Sequence, residues 1–261
     1  LWNATVLRQY ISEENFLALP TIRTVGFPDV KVIGGDELID LLSQSYDEVG
    51  MDETMVICRS NKRANIYNNG IRNRILFREE ELEPGDMLMV AKNNYFWTEQ
   101  SKETDFIANG DIAVVRRFRR ERELYGFRFA DVLLRFPDYN DLELEVKLLL
   151  DTLHTDTPAL PKEMGDRLYQ SVMEDYADIT IKRERMKKLK ADPQYNALQV
   201  KYAYAVTCHK AQGGQWKRVF LDQGYMTEEM LSPDYFRWLY TAFTRATETL
   251  YLVNWPKEQT E

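Results

Sequence analysis

The stretch YAYAVTCHKAQGGQWKRVF, residues 202–220, decides how this chain folds, together with WLYTAFTRATETLYLV at residues 238–253. In both, a short run rich in β-branched and aromatic residues adjoins a polar cluster of Thr, His, Lys, Gln, Gly or Arg. This pattern is typical of buried strands that deliver functional groups at their ends. Buried polar groups are costly unless each has a hydrogen-bond partner. Phosphates and a nucleic-acid backbone would supply such partners, so the two blocks predict a site for these ligands.

A strand followed by a helix is predicted upstream of these blocks. Residues 55–58 (MVIC) form a short β-type run, and Ser60 and Asn61 are suited to cap a helix that continues to Arg74. Six cations and no acid occur from residue 54 to residue 78. Amides at a helix N-terminus and adjacent cations favour phosphates. The alternative is a plain N-cap with surface charges. The residues that we expect to contact a nucleic-acid backbone are Arg59, Ser60, Asn61 and Lys62.

The middle of the chain has a different pattern from its two ends. Four short apolar runs, separated by Gly, Asn, Asp or Pro, occur between residues 84 and 150. This spacing is typical of a small antiparallel barrel. Residues 158–194 are polar and helical in character, and the sheet pattern resumes at Leu198. We therefore expect an α/β fold with a parallel sheet, interrupted by a barrel and a helical extension. The expected divisions are 1–81 and 198–261 for the sheet domain and 82–197 for the insertion.

Four segments resemble the motifs of superfamily 1 helicases, in particular those of the RecD-like branch. Residues 207–215 match T-x-H-K-[SA]-Q-G-x-[EQ], and residues 240–246 match Y-T-A-x-T-R-A. Residues 54–76 resemble the strand and helix of motif IV, and residues 83–115 resemble the pattern that leads into an inserted barrel. Four resemblances in the same order are far more specific than one. They imply a RecA-like parallel-sheet domain, the second motor domain, with an inserted small SH3-like β-barrel and helical extension.

The sequence lacks the phosphate-binding loop of such helicases. No G-x-x-x-x-G-K-[ST] pattern occurs, and no apolar strand ending in paired acids precedes residue 54. In the helicases that this chain resembles, those elements lie on a first motor domain, and residues 1–20 resemble the junction that follows it. The resemblance therefore implies the C-terminal part of a helicase, sharing ATP and Mg²⁺ with an N-terminal motor domain of the same protein. We expect the chain alone to hydrolyse no ATP.

Arg245 is the strongest candidate for a catalytic residue. It stands in the T-R-A position, where the resemblance implies an arginine finger aimed at the γ-phosphate. A guanidinium keeps its charge and forks onto two phosphate oxygens, which suits it to stabilise a transition state. The alternative is a structural salt bridge. Arg8, in the sequence VLRQ, corresponds by resemblance to a second arginine near the same phosphate.

The first block supplies further candidates. Thr207 and His209 offer a hydroxyl and an imidazole that can hydrogen-bond a DNA phosphate or sugar, and Lys210 adds charge. Strand alternation would place Thr207 and His209 on one face and Cys208 on the other. Many members of the family carry a carboxylate where this chain has a glutamine at position 215. Nucleotide contacts are implied by resemblance for Gln212, Gly213, Gln215 and Tyr240, the last of which could instead pack in the core.

Composition limits the remaining function classes. With 44% apolar and 12% aromatic residues, the chain is expected to be ordered and globular. A net charge of −8 argues against a protein that simply coats nucleic acid. The basic run KRERMKKLK at residues 182–190 is either a second DNA or partner contact or a solvated helix. Two scattered cysteines and two scattered histidines predict no zinc site. We expect a reduced, cytoplasmic protein without membrane contact.

Two functional hypotheses follow. The first is the C-terminal portion of an ATP-dependent DNA helicase that, by resemblance to the RecD-like branch, moves 5′ to 3′ on single-stranded DNA. The resemblance extends to exodeoxyribonuclease V alpha-type subunits, so subunits of a nuclease–helicase complex are implied partners. The second is a non-catalytic DNA- or protein-binding module derived from a helicase. An intact Arg245 favours the first, because an arginine finger has no use without a nucleotide.

Overall fold

The apolar run at residues 54–58 forms a strand whose five residues are all buried. The strand belongs to one of two units in this computed structural model, which describes residues 1–99 and 101–261. The α/β unit comprises Leu1–Phe77 and Tyr204–Glu261, and the barrel unit comprises Arg78–Ala203. The chain therefore leaves the α/β unit once, builds the barrel unit and returns.

All five strands of the α/β unit run parallel, as predicted. Central strands are nearly continuous apolar runs, which is typical of a sheet covered on both faces. Between two of them, the rings of Phe220 and Tyr251 stack with centroids 4.4 Å apart. In sheet order the strands are β1 (Val30–Ile33), β10 (Ala246–Val253), β9 (Trp216–Asp222), β2 (Thr54–Cys58) and β8 (Ala205–Thr207).

Serine caps begin two of the helices in the α/β unit. Ser60 Oγ accepts the N–H of Arg63 at 3.2 Å, and Ser232 Oγ accepts the N–H of Tyr235 at 3.3 Å. The predicted helix from this first cap to Arg74 is confirmed. The α-helices of the unit are α1 (Trp2–Ser12), α2 (Leu38–Val49), α3 (Asn61–Arg74) and α6 (Pro233–Phe243).

The barrel unit contains a closed barrel of five strands, and four of them are the predicted ones. Neighbouring strands are antiparallel except for the last pair around the barrel. The short strands and their turns thus confirm the barrel expected from the spacing of the sequence. In barrel order the strands are β3 (Met87–Val90), β4 (Ile112–Leu124), β5 (Phe127–Phe136), β6 (Leu142–Leu149) and β7 (Leu198–Tyr202).

The prediction that the parallel sheet resumes at Leu198 is wrong. Strand β7 closes the barrel, pairing Tyr202 with Leu88 of β3 and Leu198 with Leu148 of β6. Its residues alternate between buried and half-buried, which suits a barrel wall with one covered face, whereas a central parallel strand is apolar on both faces. The parallel sheet resumes at β8, which begins at Ala205.

Two helices of the barrel unit form the predicted helical extension: α4 (Lys162–Asp175) and α5 (Lys182–Lys190). They cover one outer part of the barrel, where apolar side chains of β5 and β6 meet those of the two helices. Among residues 1–99 and 101–261, every helix is too short or too polar to cross a membrane. The buried residues of this cluster are Phe127, Phe129, Leu149, Leu168, Val172, Leu189 and Ala197.

Candidate functional site

The carboxyl ends of three neighbouring strands bring the sequence motifs to one edge of the sheet. Cys58 at the end of β2 is paired with Thr207 at the end of β8 on one side and with Asp222 at the end of β9 on the other. The segments that follow these positions therefore leave the sheet at the same edge. In open parallel sheets, ligands bind at this edge. Most of the predicted site residues lie in two of these segments, 59–62 and 207–215.

The chain turns immediately after Thr207. The Thr207 carbonyl oxygen accepts the N–H groups of Lys210 and Ala211 at 2.9 and 3.1 Å, and this ends the strand. The prediction that Thr207 and His209 share one strand face is therefore wrong, because His209 lies in the turn, where it is exposed. Lys210 is half-buried, and burial lowers the pKa of its ammonium group.

Two glycines shape the tip of this turn. Gly213 has a φ of +87°, in the left-handed region that favours glycine. A Cβ on Gly214 would lie 2.5 Å from the ring of Trp216, so a side chain at this position would displace the indole. Gln212, Gly213 and Gln215 are all exposed. The tip therefore presents backbone and two amide side chains to solvent.

Arg245 follows the C-terminal end of α6 and contacts this turn. Its Nε donates to the Thr241 carbonyl at 3.0 Å, its Nη1 to the Gly214 carbonyl at 2.9 Å and its Nη2 to the Thr244 hydroxyl at 2.9 Å. None of the ion pairs in the described part of the chain includes Arg245. The alternative of a structural salt bridge therefore does not describe this residue. Its guanidinium is fixed by neutral oxygens, and its charge is not cancelled by a carboxylate.

A cavity of about 340 Å³ lies between the turn and α6. Thr241 lines this cavity and also holds Arg245 through its carbonyl oxygen. Sequence analysis missed all four of the lining residues on α6. The available signal was that these residues are spaced three or four apart after the Ser-Pro pair that begins the helix, a spacing that places them on one helix face. The lining residues are Cys208, His209, Gln212, Asp234, Arg237, Trp238 and Thr241.

The two cysteines have no nucleophilic role in this site. Both are free and buried. Burial raises the pKa of Cys58 to about 12 and that of Cys208 to about 11, although the charge of Arg245 acts in the opposite direction on Cys208. The Cys208 thiol donates to the Trp238 carbonyl at 3.4 Å. Thiols with such pKa values stay protonated at neutral pH and do not attack substrates.

A buried carboxylate, which sequence analysis missed, anchors α3. Asp222 is 2% exposed, and its Oδ2 accepts from Arg63 Nε at 2.7 Å and from the Tyr67 hydroxyl at 2.5 Å. Its Oδ1 accepts the N–H of Gly224 at 2.7 Å. Burial and the bond to Asp222 raise the pKa of Tyr67. No motif pointed to this acid, because it stands alone at the end of the run WKRVFLD.

Two cations at the start of α3, Arg59 and Lys62, form no ion pair with a carboxylate within residues 1–99 and 101–261. The Arg59 guanidinium carbon lies 5.8 Å from the ring centre of Tyr235 and 5.9 Å from that of Trp238, and its Nη1 contacts the Met226 sulfur. Lys62 is exposed, Asn61 is half-buried and Ser60 serves as the N-cap. This helix end therefore offers amide groups and two cations.

Two further predicted site residues, Arg8 and Tyr240, lie on helices α1 and α6 of the α/β unit. Arg8 is an exposed residue of α1. Helix α1 packs on α6 at a different point, where the ring of Tyr10 lies 5.8 Å from that of Phe236. Tyr240 is half-buried on α6.

The turn after β8, helix α6 and Arg245 lie in a segment that matches a family model. Residues 202–253 match the family model of the UvrD-like helicase C-terminal domain. This UvrD-like segment contains the turn, α6 and Arg245, and it supports the helicase resemblance of the sequence motifs without specifying the RecD-like branch. No curated protein matches the chain. Within the described residues, no group of His, Cys, Asp and Glu side chains is arranged to hold a metal ion.

Several solved structures with which the chain aligns are Pif1 helicases. The Pif1 helicase from Bacteroides in complex with ADP-AlF3 and ssDNA is 13% identical with a TM-score of 0.42, covering 99% of this chain and 51% of that one. A structure of forked dsDNA unwinding by two coordinating Pif1 helicases is 13% identical with a TM-score of 0.41, and the alignment covers 87% of this chain and 45% of that one. Pif1 from Candida albicans is 12% identical with a TM-score of 0.34, and the alignment covers 99% of this chain and 55% of that one. The chain thus spans about half the length of these proteins. Similarity at this level carries no functional conclusion.

Proposed function

We propose that this chain is the C-terminal portion of an ATP-dependent DNA helicase or translocase of the RecD-like, exodeoxyribonuclease V alpha-type kind. The α/β unit is then a RecA-like second motor domain, and the barrel is SH3-like. Movement follows single-stranded DNA in the 5′ to 3′ direction. One observation carries the proposal. Within the UvrD-like segment, Arg245 is fixed by three neutral acceptors and keeps its charge.

Arg245 is suited to the γ-phosphate of ATP. Three of the five N–H donors of a guanidinium are occupied here, so two are left for phosphate oxygens. A fixed cation that needs no reorganisation stabilises the charge that develops in phosphoryl transfer. When bound, Mg²⁺ supplies further charge neutralisation on the phosphates. The proposed nucleotide contacts of this chain are Gln212, Gly213, Gln215 and Tyr240, and Arg8 is proposed to act near the same phosphate.

The DNA backbone is proposed to bind where β2 and β8 end. The start of α3 offers backbone amides and two cations without a carboxylate partner, and the turn after β8 offers an exposed imidazole. Contacts of this kind reach phosphate and sugar, so binding should tolerate any sequence and weaken steeply with salt. The proposed contacts are Arg59, Ser60, Asn61, Lys62, Thr207, His209 and Lys210.

The test is ATP hydrolysis stimulated by single-stranded DNA, measured on the complete protein that includes the N-terminal motor domain. Arg245→Ala should lower the turnover about a thousandfold, the usual scale of an arginine finger. Arg116→Ala is the matched control, because Arg116 is an exposed arginine of the barrel unit paired with Glu143. The control should hydrolyse ATP at the native rate.

A second measurement separates catalysis from folding, because Arg245 also holds the turn through Gly214. The binding of a non-hydrolysable ATP analogue and the melting temperature should stay close to native in Arg245→Ala. Native turnover in this variant would make Arg245 a structural clamp and contradict the proposal. It would favour the non-catalytic DNA- or protein-binding module instead.

A further inference from the structure

A groove on the barrel unit plays no part in the site described above. It has a volume of about 600 Å³ and lies between the segment that follows β3 and helix α4. Its walls combine aromatic rings with amide and ammonium groups and one carboxylate, that of Asp166. We call it the barrel groove and define it by Lys92, Asn94, Tyr95, Gly165, Tyr169 and Tyr195.

The aromatic rings of the barrel groove are exposed but held in place. Tyr95 is 63% exposed and stacks on Phe106 with ring centroids 5.1 Å apart. Tyr195 is 37% exposed. The segment that carries Tyr95 is tied down because Asn94 Nδ2 and Trp97 Nε1 both donate to the Asn196 carbonyl, at 2.9 and 2.8 Å. Rigid, exposed rings are platforms on which a flat ligand stacks at low entropic cost.

A glycine keeps the barrel groove open. Gly165 lies in the first half of α4, where glycine weakens a helix relative to alanine. No atom lies within 4 Å of the position that its Cβ would occupy. Helix geometry and packing therefore do not require glycine here, whereas a longer side chain would project into the groove.

Cations line the helix next to the barrel groove. The Tyr169 hydroxyl contacts the sulfur of Met186 on α5 at 3.6 Å, and Asn196 Nδ2 donates to the Lys190 carbonyl at 2.9 Å. Within the described residues, none of the exposed cations of α5 pairs with a carboxylate. Unpaired cations beside exposed rings match the alternation of phosphate and base in a nucleic acid. These cations are Lys182, Arg183, Lys187, Lys188 and Lys190.

We propose that the barrel groove and α5 form a second binding site for single-stranded DNA, separate from the sheet edge. Bases stack on Tyr95 and Tyr195, and the phosphates between them lie along α5. The choice of DNA as the ligand rests on the proposed function, but the site itself rests on the groove. A site of this kind keeps hold of the strand while the sheet edge releases it.

The experiment locates bound DNA on the 261-residue chain. An oligodeoxythymidine of about 15 nucleotides, substituted with 5-iododeoxyuridine, is photo-crosslinked to the protein, and the crosslinked peptides are identified by mass spectrometry. The expected crosslinks fall on the peptides that carry Tyr95 or Tyr195. Gly165→Leu should abolish them, because leucine fills the groove. Gly165→Ala is the matched control, and it should keep them.

Fluorescence anisotropy with the same oligonucleotide gives the energetic test. Tyr195→Ala should weaken binding about tenfold, the scale of one lost stacking contact. The double variant Lys187→Gln, Lys188→Gln should reduce the slope of log affinity against log salt concentration by about 1.4, or about 0.7 for each lost phosphate contact on a single strand. The proposal is overturned if crosslinks occur only in residues 1–77 and 204–261, or if Gly165→Leu leaves them unchanged.

The two proposals fail separately. Crosslinks in the barrel groove together with native hydrolysis by Arg245→Ala would reject the motor function and keep the second DNA site. Loss of hydrolysis in Arg245→Ala without crosslinks in the barrel groove would do the reverse. A proline-rich peptide that binds the groove and is blocked by Gly165→Leu, where the oligonucleotide does not bind, would also overturn the DNA assignment.

Discussion

Arg245 of the α/β unit is held differently from Arg116 and Arg120 of the barrel unit. On the outer face of the barrel, Arg116 and Arg120 pair with Glu143 and Asp131 at 3.3 and 2.7 Å. In the α/β unit, Arg245 is held by two carbonyl oxygens and a hydroxyl. A carboxylate fixes an arginine and cancels its charge, whereas a carbonyl fixes it and leaves the charge for a ligand. The barrel pairs therefore serve a solvated surface, and Arg245 is suited to an anion.

The same contrast exists within the α/β unit, over four residues of one segment. Arg63 is bound to the buried carboxylate of Asp222, while Arg59 lies over the rings of Tyr235 and Trp238. Stacking on aromatic faces also positions a guanidinium without cancelling its charge. Counting the cations in a motif therefore overstates how many of them are available to bind phosphate. The acceptor that each cation already has decides whether its charge is available.

Arg245→Lys tests most directly whether the acceptors of Arg245 matter. Lysine keeps the charge but lacks the planar fork that reaches several acceptors at once. We expect DNA-stimulated ATP hydrolysis by the complete protein to fall about a hundredfold, as for the loss of one preorganised donor. The melting temperature should change little. Arg120→Lys, the matched change on the barrel, should leave hydrolysis unaltered. Native turnover in Arg245→Lys would show that charge alone suffices, and the contrast in acceptors would lose its meaning.

A second variant tests whether a buried carboxylate contributes more stability than a surface carboxylate. Asp222→Ala removes the buried carboxylate that accepts from Arg63, Tyr67 and the Gly224 N–H, so we expect a loss of about 2–3 kcal/mol in the free energy of unfolding. Asp131→Ala on the barrel surface should cost less than about 1 kcal/mol. Urea unfolding followed by circular dichroism measures both variants, because helices and strands of both units contribute to the signal. Equal losses in both variants would contradict the distinction between buried and surface pairs.

Gly214→Ala tests whether the turn positions Arg245. The added Cβ would lie 2.5 Å from the Trp216 ring, and overpacking of this kind costs about 1–2 kcal/mol. Because the Gly214 carbonyl accepts from Arg245, hydrolysis should fall as well. Gly70→Ala is the control, since nothing lies within 4 Å of its Cβ position and alanine favours the helix by about 0.5–1 kcal/mol. A stable Gly214→Ala variant with native turnover would separate the turn from Arg245.

Local patterns in the sequence predicted much of this fold. The strand ending at Cys58, the Ser60 cap and helix α3 follow from the order of residue types along a short segment. The same is true of the first four barrel strands, which are separated by turn residues. Contacts between distant residues were not predictable in this way. Asp222 accepts a hydrogen bond from Arg63, which is 159 positions away in the sequence. The residues near each of them do not indicate this contact.

The error at Leu198 has a physical cause. Strands β7 and β8 are separated only by Ala203 and Tyr204, so LQVKYAYAVT reads as one continuous strand. The backbone divides it: Ala203 donates to Met87 in the barrel unit, and the Tyr204 carbonyl accepts from Val56 in the α/β unit. Both halves have strong strand character, and only their partners differ. Pairing between strands is a tertiary choice that propensity does not encode. The same limit applies to His209, whose turn depends on the bonds made by the preceding carbonyl.

The smallest expected effect concerns pH and tests whether the barrel pairs contribute at all. Burial by itself would raise the pKa of the Asp131 carboxyl, but the bonds from Lys147 and Arg120 outweigh it and hold the pKa below its usual value. A carboxyl whose pKa is lower in the folded state stabilises the fold above its unfolded pKa of about 3.9, and this contribution is lost as pH falls through the folded pKa. The native chain should therefore lose stability relative to Asp131→Asn as pH falls from about 5 to below 3, by less than about 1 kcal/mol.

Salt provides the control for this pH effect. The Arg120 side chain is 57% exposed, so added salt should screen its attraction to Asp131 and shrink the difference between the two proteins. A larger difference at high salt would contradict the ion-pair explanation. If native and Asp131→Asn unfold identically at every pH, the barrel pairs contribute no stability. The only effect of these pairs would then be to cancel the charge of an arginine. The type of acceptor would be the one feature that distinguishes a surface arginine from Arg245, which is suited to bind phosphate.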